Sequence, residues 1–145
     1  MTSGGGAFFD QFIEDYFAEC DEHLATVRRV LLALEEGVAG EAPDPRLSRD
    51  LLRGLHTLKG LSGMVGDARA ERVAHALEDA VRAGERVGEP PAHATLDALF
   101  AGVDLLERCI AAHRAGAAPP AIDATVAALG RVGAGEVPAL SLIHI

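Results

Sequence analysis

The residues best suited to chemistry in this 145-residue chain lie in the run His56-Thr57-Leu58-Lys59-Gly60-Leu61-Ser62-Gly63-Met64-Val65-Gly66. An imidazole titrates near neutral pH, so it can act as base, nucleophile or metal ligand. Leu52, His56, Lys59, Gly60 and Gly63 follow one another at i+3 and i+4 spacing, which puts them on one stripe of a helix. That stripe lies one position off the apolar set Leu47, Leu51, Leu55, Leu58, Ser62 and Val65. His56 is therefore expected at the solvent edge, with Lys59 and Gly60 in the turn beyond it. A glycine inside a helix costs about 0.5–1 kcal/mol relative to alanine. Two uses could offset that cost. Bare backbone lets another macromolecule come close to the ring, or it lets a neighbouring helix pack tightly. Spacing leaves both open.

Lys59 is the single lysine among 13 basic residues, the other twelve being arginine. A lysine is a compact point charge on a flexible stem. That suits a phosphoryl group that comes and goes. The second notable run is His75-Ala76-Leu77-Glu78, whose His75 and Glu78 share a polar stripe with Glu71 and Arg82. The two runs belong to consecutive helices joined near Gly66-Asp67. At about 1.5 Å rise per residue on both sides of the turn, Glu78 comes level with His56, and His75 with Lys59. A glutamate opposite an imidazole can accept its Nδ1–H, which leaves Nε2 unprotonated and outward. The plain alternative is an ordinary polar contact between helices.

Metal chemistry is poorly supported. None of the six histidines has a glutamate three residues before it, as a di-iron bundle needs. Glu71-x-x-x-His75 has no second copy, and no metal site is expected. Cys20 and Cys109 stand far apart in no ligand-like spacing and read as reduced, part-buried thiols. No GxxxxGK[ST] loop is present, so ATP binding is not expected of this chain.

The elements that must position these residues are legible from the punctuation. Glycine and proline clusters fall at 4–6, 37–45, 88–91 and 116–120, with a tight break at Gly66-Asp67. Between them lie stretches rich in Ala, Leu, Glu and Arg, without period-two alternation, so the fold class is all-α. Helices are expected over about 7–36, 45–65, 68–87, 92–115 and 121–132. Gly37 and Gly66 are expected as C-terminal caps, and Asp67 as an N-cap. The first helix has the inward set Phe9, Phe12, Ile13, Tyr16, Phe17, Cys20, Leu24, Val27, Leu31 and Leu34. In the third it is Ala70, Val73, Ala74, Leu77, Val81 and Gly84, in the fourth Leu96, Leu99, Val103, Leu106 and Ile110, and in the fifth Ile122, Val126 and Leu129. Short loops make the first four an antiparallel up-down bundle, with the short fifth helix at its end or side. The reading is a flexible lead over 1–6, a bundle over 7–133, and a linker or tail over 134–145.

Composition narrows the function classes. A net charge of −9 gives no field for phosphate backbones, so nucleic acid is not an expected partner. No apolar run approaches a membrane span, and no leader is visible. A cytoplasmic location without membrane attachment is expected.

The run from His56 to Gly60, followed by Ser62, Gly63 and Gly66, resembles the phosphoacceptor motif of histidine-containing phosphotransfer (HPt) domains. With His75-x-x-Glu78 nineteen residues on, it is similar to the N-terminal phosphotransfer domain of CheA-type chemotaxis histidine kinases. The resemblance covers roughly residues 8–132. It implies that His56 is phosphorylated on Nε2 and that Glu78 holds Nδ1. It further implies that Lys59 and His75 complete a polar network, and that Gly60 and Gly63 leave room for docking partners. Those partners would be a kinase ATP-binding catalytic domain and a response-regulator receiver, with ATP and Mg²⁺ on them and no cofactor in this chain. The chain would be a phospho-carrier and kinase substrate rather than a complete enzyme. Leu61 departs from the family, which more often has a small residue there. The competing reading is a helical interaction or scaffold bundle without this chemistry.

Overall fold

The computed structural model describes residues 3–37, 43–87 and 91–135. The loop residues 38–42 and 88–90 and the expected tail after 135 lie outside the described residues. Five helices follow in order: α1 (Ser3–Glu35), α2 (Pro45–Met64), α3 (Ala68–Val87), α4 (His93–Ala115) and α5 (Asp123–Gly133). No strand occurs among the described residues. None of these helices is long and apolar enough to cross a membrane.

Each α1–α4 helix packs against its chain neighbour, and α4 closes back on α1. Arg28 pairs with Asp104 at 2.8 Å and also with Glu107, while Asp21 faces Arg114. As the number rises on α1 it falls on α4, so the two run antiparallel. The short α5 lies along α3 and α4. Arg72 faces Asp123, and the Gly133 backbone comes up against Ala80, so α5 runs in the same direction as α3.

The caps follow local chemistry. Asp44 accepts the Arg46 N–H at 2.9 Å with Pro45 in the first turn of α2, which satisfies an orphan donor. Gly66 takes the left-handed conformation at φ 75°, and Asp67 caps α3 through the Ala70 N–H at 3.1 Å. This turn sets the register of α3 against α2. Gly37, by contrast, does not adopt the left-handed cap conformation expected of it.

The core is made by the expected stripes, from Tyr16 to Leu31 on α1 and through Leu51, Leu55, Leu58, Val73, Leu77, Val103 and Leu106. Three expectations need correction. The first helix begins at Ser3, inside the expected glycine lead; each helical glycine costs only about 1 kcal/mol. Phe9 and Phe12 are 63% and 43% exposed. Their neighbour runs out: Arg114, in the last turn of α4, already sits over the Phe17 ring, so the first turns of α1 extend past it. Gly84 is exposed as well. Two unremarked glycines do the close packing instead. A Cβ on Gly54 would meet Val27 Cγ2 at 2.9 Å, and one on Gly102 would meet Leu77 Cδ2 at 2.6 Å.

Candidate functional site

Leu55 and Leu58 are buried against the core, which carries the adjacent His56 to the bundle edge. Its side chain is 68% exposed. On α3, Leu77 points inward, and Glu78 beside it faces α2 with its side chain fully buried. The Gly66-Asp67 turn brings the two residues level.

A buried carboxylate must be compensated or it becomes too costly to keep charged. Glu78 has three partners. Lys59 Nζ donates to Oε1 at 2.7 Å, Arg82 Nη2 donates to Oε2 at 2.8 Å, and His56 Nδ1 lies 3.2 Å from the same Oε2. Burial alone would raise the Glu78 carboxyl. The hydrogen bond and charge of Lys59, helped by Arg82 and His56, outweigh that and hold it below the ordinary glutamate value. The group is therefore ionised at neutral pH and can only accept hydrogen bonds. Nδ1 of His56 must then be the N–H in the neutral ring, which leaves the lone pair on Nε2. Nε2 makes no protein hydrogen bond among the described residues, and it stands at the exposed end of a ring whose other nitrogen is held. This arrangement suits a nucleophile.

The structure brings His56, Lys59 and Glu78 together. It does not bring His75. That side chain is exposed and pairs with Asp79 one turn on, Nε2 to Oδ2 at 3.4 Å. It turns toward the groove between α3 and α5 and makes no hydrogen bond to the other three. Arg82 takes the place expected of it. The signal was available: Arg82 stands four residues after Glu78, a spacing at which helical side chains meet.

The glycines divide by environment. A Cβ on Gly60 would meet nothing within 4 Å, and one on Gly63 would meet only the Glu71 carboxylate. Gly60 serves no tight helix–helix contact, and at Gly63 only the flexible end of the Glu71 side chain on α3 comes close, at 2.9 Å from the added Cβ. Both leave exposed bare backbone within two turns of His56. Leu61 points away from this face and packs partly buried against the core. Ser62 is wholly buried, facing inward rather than toward the site.

Among the described residues, no group of three or more His, Cys, Asp or Glu is placed to hold an ion. Cys20 and Cys109 are free and buried, and burial pushes both thiols up, Cys20 to about 11.

The Hpt domain family model matches residues 11–132. The chain is 30% identical over 101 residues to chemotaxis protein CheA of Halobacterium salinarum, and 34% identical over 104 residues to CheA of Bacillus subtilis. Each match covers 70% of this chain and 14% of the relative. A gliding motility regulatory protein of Myxococcus xanthus is 35% identical over 85 residues, covering 59% of this chain and 10% of that protein. The chain thus spans a small part of the curated relatives it matches.

Proposed function

Because this chain belongs to the Hpt domain family, we propose that it is a phospho-carrier in two-component signalling with His56 as its phosphoacceptor. The observation that carries the assignment is the exposed His56 ring held through Nδ1 by the buried, ionised Glu78.

The chemistry follows from that geometry. Nε2 attacks the γ-phosphorus of ATP held on a histidine-kinase catalytic domain. The P–N bond forms as the bond to the ADP oxygen breaks. ATP and Mg²⁺ belong to that partner, which neutralises the transferring charge. Glu78 steadies the ring while positive charge builds on it. Lys59, one turn along and partly exposed, is near enough to balance the phosphoryl oxygens. In the second step a receiver aspartate attacks the phosphorus and the imidazole leaves. Gly60 and Gly63 keep the approach to the ring low, so that a catalytic or receiver domain can close over it.

The test is incubation with a CheA-type catalytic domain and labelled ATP. Wild type is expected to take up an acid-labile, base-stable label, and His56→Gln to take up none. Equal labelling of the two proteins puts the acceptor on another residue and rejects the assignment, and a wild type that takes up no label leaves an interaction bundle without phosphotransfer.

A further inference from the structure

Arg82 is the member of the cluster that the phosphoacceptor reading does not use. It lies four residues beyond Glu78 and donates to Oε2 at 2.8 Å. His56 Nδ1 reaches that same oxygen at the longer distance of 3.2 Å. The other oxygen is taken by Lys59. Two cations therefore share one carboxylate, and the trio carries a net positive charge before His56 gains a proton.

We propose that Arg82 is a positioning residue that acts on His56 through Glu78, restraining both the pull of Glu78 on the ring and the protonation of the ring. It works in two ways of the same sign. By donating to Oε2 it withdraws electron density from the atom that accepts from Nδ1. By standing as a nearby cation it opposes a second positive charge on the imidazole. The neutral, nucleophilic ring is favoured at the expense of the imidazolium.

Lys59 is the other cation on Glu78, but it holds Oε1, so among the described residues Arg82 alone shares with Nδ1 the oxygen Oε2. The Glu71 carboxylate on α3 lies against Gly63, two turns along α2 from the ring. On its own helix, Lys59 is bound to Glu78, and Arg53, three residues back, faces Asp50. On α3, His75 and Asp79 pair with each other. The remaining helix packed on α2 is α1, which meets Gly54 with Val27 and the His23 backbone. No ion pair joins α1 to α2 among the described residues. Arg82 itself is half exposed, so replacing it opens no hole in the core.

The proposal rests on the phosphoacceptor reading only for its kinetic consequence, and its physical core is tested without phosphorylation. The His56 ring is titrated by ¹⁵N-edited NMR in wild type, Arg82→Gln, Arg82→Ala and Arg82→Lys. Loss of the cation is expected to move the His56 midpoint upward by about half a unit to one unit. Lys restores most of the wild-type midpoint, because it returns the charge without the guanidinium fork. The acid limb of the labelling profile with a CheA-type catalytic domain and ATP moves upward by the same amount. An unchanged midpoint in both the Gln and Ala variants overturns the proposal, as does a Lys variant that behaves like Gln. Failure of wild type to label at all would reject the phosphoacceptor reading, while the titration would still decide the role of Arg82.

Discussion

His56 and Glu78 meet across the α2–α3 interface as an exposed ring on a buried anchor, with Nδ1 3.2 Å from Oε2. The exposed partner can be reached by another protein, and the buried one is locked by Lys59 and Arg82. The ring is thus oriented without being covered, and the outcomes below follow from that.

Glu78→Gln keeps the shape of the anchor and removes its charge. A hydrogen bond to a charged group is worth about 1.5–3 kcal/mol, which is about ten- to hundredfold in rate. The variant is expected to fold, and to accept a phosphoryl group more slowly by that factor in single-turnover labelling. A wild-type rate would remove Glu78 from the chemistry.

The same residue makes stability depend on pH. The Glu78 carboxyl is held below its ordinary value in the fold, chiefly by Lys59 acting against the effect of burial. Its ionised form therefore stabilises the native state. That contribution is complete above the ordinary glutamate value, about 4.3, and fades as pH falls through the lower folded value. Urea unfolding of wild type and Glu78→Gln at a series of pH values should show a gap that is widest near neutrality and closes in acid. A gap independent of pH would contradict this.

One substitution should have opposite signs at two glycines. Around Gly60 nothing lies within 4 Å of an added Cβ, so Gly60→Ala should stabilise the fold by about 0.5–1 kcal/mol. At Gly102 the Cβ would press on Leu77 and Leu129 inside the core. Gly102→Ala should cost about 1–3 kcal/mol. Denaturant midpoints measure both. If Gly60 serves docking, a bulky residue there slows phosphotransfer while the protein remains stable.

Among the described residues His75 pairs only with Asp79, and both side chains are about 60% exposed. Exposed pairs of this kind contribute about 0–1 kcal/mol. His75→Gln is expected to leave stability and labelling close to wild type. A large loss of labelling would mean that the ring reaches the cluster during turnover.

Burial places the Cys20 thiol at about 11 and raises Cys109 too. Few thiolates form at pH 8, and access to them is closed. Reaction with a thiol reagent at pH 8 should be at least about a hundredfold slower in the native protein than in urea. Fast labelling of the folded protein would show that the bundle opens near these residues.

The sequence by itself determined what depends on local periodicity. Apolar residues at spacings of three and four specified helices, and the Gly66-Asp67 break specified a tight turn. Constant rise per residue then made His56 and Glu78 level before any contact was known. It could not say which of the polar residues on α3 would face α2. His75 lies three residues before Glu78 and Arg82 four after it, and each is one helical turn away. The choice depends on how α3 is rotated about its axis, which is set by its packing on α2, α4 and α5 together. The exposure of Phe9 and Phe12 came from a mismatch in helix length between α1 and α4, to which an amphipathic pattern within one helix is blind. Which glycines are packed and which are open depends likewise on the atoms opposite each missing Cβ, contributed by residues far away in the chain. Tertiary structure decided those points because each is a relation between helices, whereas the helices themselves follow from relations within a few residues.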